Sequence, residues 1–355
     1  MKLLKSTFLS DQGAMLLAIG LLASALLRVP YYQHALIFVD EGIYAATAAE
    51  LVSGKVLYRD VWCNHMPLAV RFCEAMFRVF GVNSLAMHLG SLLLALLESL
   101  LLYCLGSRFF SPRVGGIAAL AYAIISANFY TPRIIGYTAE QAAAVFVTAA
   151  AFFFLHALDE GRRGGFFWTG VLSVAAVFSK PSAAPEALMF VVFILLSHRC
   201  RKRAGSVLWL ALGWTAGLAV LLFPLHASGA MDAWWTQSVL TRIDYVNQIR
   251  FEDWVRIAAR QPLGFGLIYL WLWILIWSGR AGIGAGREAG RFLWVWLAAS
   301  FIGVAAGRRF YANYYIQMFP VLSWMAACAL DRMLGDGIRR RHRTAAWSAA
   351  AKSPP

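Results

Sequence analysis

Long apolar stretches alternate with short polar ones along most of this chain. Runs of about 17 to 25 apolar residues can cross a hydrocarbon core as helix, and reading them in turn predicts about ten transmembrane helices. They fall roughly at 14–30, 84–106, 113–129, 138–158, 165–180, 184–198, 206–226, 263–278, 291–307 and 314–334. Most links between them are tight turns. Two are not: a first external loop over about 31–83 and a second over about 227–262. In a chain of short connections, such segments are where function is placed. The first loop carries two stretches with the 3.6-residue period of amphipathic helices lying on a membrane surface. Glu41 to Ser53 brings Ile43, Ala46, Leu51 and Val52 near one face. Leu68 to Phe80 gathers Leu68, Phe72, Met76, Val79 and Phe80 into a stripe, with Arg71, Glu74 and Arg78 opposite. Between them "SGKVLYRDVWCNHMP" is a turn-rich connector. The second loop holds Trp234, Trp235 and Trp254, a residue type that favours the bilayer interface. The predicted fold class is therefore an all-α polytopic membrane protein. One transmembrane domain covers 1–335, and a basic disordered tail covers 336–355.

Composition agrees with that pattern. Of 355 residues, 60% are hydrophobic and only 14% charged, against about 25% charged in soluble domains. The formal net charge of +14 would suggest nucleic acid in a soluble protein. Here the cations alternate with the topology instead. Lys2 and Lys5, Arg108 and Arg113, Arg162 and Arg163, the cluster Arg199 to Arg203, Arg280, Arg287 and Arg291, and the tail "RRRHR" all fall in every second link. The positive-inside rule then puts both termini in the cytoplasm, with an even number of spans and no nucleic-acid partner. The amino-terminal run reads as an uncleaved signal anchor, because it is long, Asp11 interrupts its approach and more spans follow. The glycine-rich 279–290 reads as a flexible cytoplasmic linker. Five cysteines show no metal-binding spacing. Cys63 and Cys73 share the first external loop, where independent thiols are expected more than a pair.

Against this background a few charged residues stand out on the external side. Asp40 and Glu41 open the first amphipathic helix in "FVDEGIY". Acids there suit a helix amino terminus, and capping and catalysis both need an exposed, oriented carboxylate. Asp60 and His65 lie in the connector. Asp60 can simply solvate the loop, and a lone histidine is more often structural than a base, a phosphate partner or a ligand. Glu140 opens the fourth span behind Thr138, a capping residue, and Arg133 is a cation in the same external link. Lys180 ends the fifth span in "SKPSAAP", where Pro181 and Pro185 break the helix. Broken helix at membrane depth lines a cavity. Arg308 and Arg309 stand on the cation-poor side before Tyr311, Tyr314 and Tyr315, and such a pair is better explained as an anion site than as an anchor. Glu98, inside the second span, lies nearer the cytoplasmic end and is left out of the site. Carboxylates that can deprotonate a nucleophile, facing cations that can hold a phosphate, are the parts needed to displace a phosphate leaving group.

Taken in order, "DEGIY", "GKVLYRDVWCNHMPL", "TAEQ", "SKPSAAP" and "GRRFYANYYIQMFPVL" resemble the GT-C superfamily of polyprenyl-phosphate-dependent glycosyltransferases over most of the chain. The nearest branches are the protein O-mannosyltransferases, the lipid A aminoarabinose transferase and related bacterial lipopolysaccharide sugar transferases. The resemblance implies an inverting transfer at the periplasmic face of a bacterial inner membrane, with the long first loop periplasmic. The donor would be a polyprenyl-phosphate sugar, and the acceptor a lipid, glycan or protein. Asp40 matches the first-loop aspartate that serves as general base, with Glu41 and Tyr44 as its neighbours. Glu140 would be the second acid near the acceptor. Lys180, Arg309 and Tyr311 would hold the donor phosphate. In relatives the first loop commonly reads Asp, any residue, Lys, Pro, Pro. Here His65 stands in the place of the lysine and Cys63 in that of the acid, while Asn313 replaces a frequent histidine. Some branches use a divalent cation and others do not; Asp40, Glu140 and His65 could supply ligands, but no spacing specifies a metal. Two other readings remain. A transporter or lipid flippase would show paired repeats with broken helices in both halves, and only one break is visible. A non-catalytic subunit of an envelope-assembly complex fits the substitutions at 63 and 65.

Overall fold

The computed structural model describes residues 11–350 apart from 37, 129–131, 201, 281–282 and 285–287; the side chains of 11, 132 and 336–350 are not described. Lys2, Lys5, Arg201 and Arg287 of the expected cytoplasmic charge pattern, and the side chains of the "RRRHR" tail, lie outside that set. The described residues are helical throughout their regular structure. Helices α1 (Asp11–Leu26) and α2 (Val29–Tyr32) lead into α3 (Val39–Val52) and α4 (Pro67–Phe80), followed by α5 (Ser84–Phe109) and α6 (Pro112–Ile125). Next come α7 (Ala139–Glu160), α8 (Arg163–Ser179), α9 (Ala184–Leu196) and α10 (Arg203–Ala227). The second long loop holds α11 (Met231–Trp234), α12 (Thr241–Asn247) and α13 (Phe251–Ile268). α14 (Leu270–Ser278), α15 (Glu288–Ala306) and α16 (Phe319–Ala350) complete the chain. The backbone of α16 is helical over 336–350 of the segment expected as a disordered tail; alanine and arginine are strong helix formers.

The chain is a multi-pass helical membrane protein, and each expected span overlaps a helix among the described residues. By length and apolarity α1 with α2, α5, α7, α10 and α15 can each cross a membrane. α13 and α14 would make a sixth crossing as one broken unit, bent by 77°. The single span expected at 263–278 is thus two helices. The bend at Tyr269 is pinned by its hydroxyl, which donates to the Ile125 carbonyl (3.1 Å) and accepts from Asn128 (3.2 Å). α8 and α10 touch backbone to backbone. A methyl added at Gly213 would lie 2.0 Å from the Phe167 carbonyl oxygen, and one at Gly170 would lie 2.3 Å from that of Leu210. Glu98 is buried within the bundle and accepts from Thr148 (2.6 Å).

α3 and α4 pack on each other and over one end of this bundle, with Tyr44, Leu51, Cys73 and Phe77 in a shared core. The buried side of α4 is Ala69, Val70, Cys73 and Phe77. The expected stripe is offset from it: Met76 is buried, but Val79 and Phe80 are exposed. Glu74, expected on the polar face, is buried and held by Arg71 (2.6 Å) and Arg78 (2.8 Å). Cys63 and Cys73 are separate buried thiols. The two long loops are stitched together. Gln237 accepts from the Cys63 amide (2.9 Å) and donates to the Tyr58 carbonyl (2.9 Å), and Ser238 donates to the His65 carbonyl (3.0 Å). Both belong to a π-helical stretch, Trp235–Leu240, whose extra residue per turn re-aims the helix that follows.

Candidate functional site

The start of α3, the connector before α4, the break after α8, α12 and the 3₁₀ segment Ala312–Met318 meet at one end of the bundle. Between them lies a cavity of about 410 Å³ lined by Asp40, Asn64, His65, Lys180, Arg242, Asp244, Tyr245, Gln248 and Tyr314, among others. A recess of about 140 Å³ shares Lys180, Arg242, Tyr245 and Tyr314 and continues past Val246 and Ala306.

Lys180 is placed by the prolines. Pro181 disfavours helical backbone at the residue before it, so α8 ends at Ser179 and Lys180 is extended (φ −147°, ψ 120°). Its Nζ reaches Glu140 Oε1 at 2.7 Å and lies 5.0 Å from the centre of the Tyr314 ring. Glu140 sits in the first turn of α7, whose start is locked by a capping box between Thr138 and Gln141. Asn313 donates to the same carboxylate oxygen at 3.0 Å. Both members of the pair are buried, Lys180 at 6% and Glu140 at 1% exposure. Such a pair is held only because each charge offsets the other's desolvation.

Asp40 and Glu41 diverge, because consecutive helical residues point about 100° apart. Asp40 lines the cavity and has no hydrogen-bonding or ion-pair partner among the described residues. It does not cap α3, whose N-cap is Phe38. Glu41 turns into the core. It accepts from the Tyr31 hydroxyl (2.6 Å) and the Tyr137 amide (3.2 Å) and lies 4.0 Å from His88 Nδ1. Gly136 leaves the room: a methyl there would sit 2.6 Å from the Tyr31 hydroxyl. Glu41 therefore ties α3 to α2 and to the approach to α7, and so holds Asp40 at the cavity.

His65 packs against Tyr44 with tilted rings 4.4 Å between centres, and its buried Nε2 has no partner among the described residues. Burial, then the charges of Lys180 and Arg242, hold its pKa well below the ordinary 6.5, so the ring is neutral at pH 7. Burial, then Glu140 and Asp40, push the Tyr44 phenol upward, so it stays protonated. Arg242 donates to the Asn64 carbonyl (2.9 Å), and its Nε has no partner among the described residues. Two carboxylates with no partner among the described residues, Asp40 and Asp244, thus share the cavity with two cations, Lys180 and Arg242. That arrangement can accept a proton on one side and hold an oxyanion on the other.

The architecture is shared with solved membrane enzymes. ArnT from Cupriavidus metallidurans bound to undecaprenyl phosphate superposes with a TM-score of 0.62 at 17% identity, over 90% of this chain and 60% of that one. The Archaeoglobus fulgidus oligosaccharyltransferase in complex with Zn and sulfate gives 0.61 at 19% identity, over 95% and 51%. The same organism's AglB with an inhibitory peptide and a dolichol-phosphate gives 0.60 at 15%, over 97% and 52%. The chain shares the fold of these proteins over nine-tenths or more of its length. It spans about 60% of the length of ArnT and about half that of the oligosaccharyltransferase. The model of the dolichyl-phosphate-mannose-protein mannosyltransferase family matches residues 64–225, from the connector before α4 into the last turn of α10. No curated protein matches it in sequence.

This fold brings together only part of the expected set. Asp40, His65 and Lys180 line the cavity, with Glu140 and Tyr44 directly behind them. Arg309 braces the wall, stacked 3.8 Å from the Tyr245 ring centre and donating to the Tyr245 carbonyl (3.2 Å) and Gln248 (3.3 Å). The others lie outside. Asp60 is exposed and closes the connector turn, accepting from the Val56 amide (2.8 Å) and Arg59 (2.9 Å). Arg133 is exposed and lies 5.6 Å from the Tyr311 ring centre, so those two engage each other. Arg308 turns the chain in a left-handed conformation (φ 56°) and reaches the Ile249 carbonyl (3.4 Å). The sequence reading passed over Arg242, Tyr245 and Gln248, which recur every third residue along one side of α12 and just past its end. The available signal was a cation inside the second long external loop.

Of the expected ligand set, Glu140 has its Oε1 taken by the Lys180 ammonium and the Asn313 amide. Among the described residues no three His, Cys, Asp or Glu side chains are placed to hold a metal.

Neutral His65 carries a pH signature. Its folded pKa lies below 6.5, so below pH 6.5 the unfolded chain binds a proton that the folded chain does not, and stability falls as pH falls. His65→Gln is expected to flatten the decline in melting temperature between about pH 6.5 and 5, an acid-side effect of histidine protonation. Identical pH profiles for wild type and variant would contradict this reading of the buried imidazole.

Proposed function

We propose that this protein is an inverting membrane glycosyltransferase. It would move a sugar from a polyprenyl-phosphate donor to a hydroxyl-bearing lipid, glycan or protein acceptor at the external face, which in a bacterium is the periplasmic side of the inner membrane. The observation that carries this reading is the unpartnered Asp40 carboxylate facing Lys180 and Arg242 across one cavity. ArnT with undecaprenyl phosphate and AglB with dolichol-phosphate support a lipid-linked donor, since both share the fold.

In this scheme Asp40 takes the proton of the acceptor hydroxyl as its oxygen attacks the anomeric carbon. The new carbon–oxygen bond forms on the face opposite the breaking one, so the configuration inverts. The electron pair of the broken bond leaves with the lipid phosphate, whose charge Lys180 and Arg242 stabilise as it grows. Glu140 and Asn313 keep Lys180 in place. His65, a neutral donor or acceptor, orients a substrate oxygen where relatives place a lysine. The recess past Val246 and Ala306 gives the lipid-bearing side of the donor an apolar flank.

The test uses the purified full chain in lipid nanodiscs with radiolabelled undecaprenyl-phosphate and dolichyl-phosphate sugars and a panel of lipid, glycan and peptide acceptors. Label is expected to appear in an acceptor with inverted anomeric configuration. Retained configuration, or donor binding with no transfer to any acceptor, would overturn the reading; the latter is the behaviour of a non-catalytic relative.

A further inference from the structure

α7 runs away from the candidate site and α8 runs back to it. Glu140 and Lys180 stand at the near end; Glu160 and Arg163 stand at the far one. α7 has 22 residues, which separates its ends by about 33 Å. At the far end a cavity of about 590 Å³ lies between the end of α7 and the starts of α8 and α10.

The charges around this cavity do not cancel. Asp159 is engaged by Arg108 (2.9 Å) and Arg199 (3.6 Å). Glu160 is engaged by Arg162 (2.9 Å), His156 (3.2 Å) and Arg108 (3.7 Å). Arg163 and Lys202 also line the cavity, yet neither has an acidic partner among the described residues. The helix ends add to them. The N-caps of α8 and α10 are Arg162 and Lys202, and neither side chain caps its helix. The amino-terminal ends of α8 and α10 and two exposed cations with no acidic partner among the described residues thus border one space. Gly161 and Gly205 line it without side chains.

The surroundings indicate what the anion is attached to. One to two turns deeper, the backbone contact through Gly170 and Gly213 closes the space between α8 and α10. On the outer surface of the same turns, Trp168 and Leu208 are 50% and 59% exposed. We infer that this cavity binds the phosphate of an anionic phospholipid of the leaflet opposite the candidate active site, with the acyl chains lying along Trp168 and Leu208. The inference does not rest on the proposed reaction, because it shares no residue with that site.

The test titrates the full chain in detergent with short-chain phosphatidylglycerol, the matching phosphatidylcholine and inorganic phosphate, read by native mass spectrometry and melting temperature. Phosphatidylglycerol is expected to be retained and to raise the melting temperature, and phosphatidylcholine is not. The double variant Arg163→Ala/Lys202→Ala should weaken phosphatidylglycerol binding by about tenfold or more, from two lost phosphate contacts. Arg280→Ala, a cation outside the cavity, should leave binding unchanged. Equal retention of the two lipids, or unchanged binding by the double variant, overturns the site. Binding of inorganic phosphate without phosphatidylglycerol overturns the lipid assignment.

Discussion

Asp40→Asn is expected to lower kcat for sugar transfer by about 10²- to 10⁴-fold while leaving the KM for the donor within a few-fold of wild type. The substitution keeps shape and removes only the capacity to take a proton. It should be unusually clean, because Asp40 has no hydrogen bond or ion pair to lose among the described residues. The melting temperature should therefore stay put as activity collapses. A variant that transfers sugar at the wild-type rate would remove Asp40 from the role of base. Glu41→Gln gives the contrast. Glu41 is held by Tyr31 and Tyr137 in the core, so the variant should lose stability first and activity only as a consequence.

Lys180→Met is expected to abolish measurable transfer and to destabilise the protein by about 3–5 kcal/mol. The stability loss does not come from the missing lysine alone. Glu140, at 1% exposure, would be left with a buried charge and only the Asn313 amide against it. The double variant Lys180→Met/Glu140→Gln removes both charges and should recover most of the stability without recovering activity. Stability and activity restored together would mean that the pair is structural and that Arg242 alone serves the phosphate. An undamaged single variant would contradict the ion pair itself.

The helices were legible in the sequence because an apolar run of spanning length has few other uses. The loop helices α3 and α4 were legible to within two residues from their period. Which way α4 faces was not. Its period reports apolar against polar, whereas Val79 and Phe80 are apolar and exposed and Glu74 is charged and buried between two arginines. The kink between α13 and α14 was hidden for a related reason. It depends on Tyr269 meeting Ile125 and Asn128, some 140 positions earlier. The site divided in the same way. Lys180 announced itself through the prolines beside it, and Glu140 through its capping motif. The separation of Asp40 from Glu41 follows from helix geometry, but which of the two meets the cavity depends on Tyr137, 96 positions away. Arg242 carried no local motif. It enters the site because the two external loops are stitched together at Gln237 and Ser238.

The Glu140–Lys180 pair also bears on turnover. In the proposed reaction the donor phosphodiester carries one negative charge. The lipid phosphate left behind carries close to two near neutral pH, its second proton leaving with a pKa of about 6. A wall of bare cations would grip the spent carrier more tightly than the fresh one, and the cycle would stall at release. By sharing Lys180 with a fixed carboxylate, the protein blunts that grip. The strength of the counter-ion behind the lysine then becomes a control on how fast the spent lipid departs.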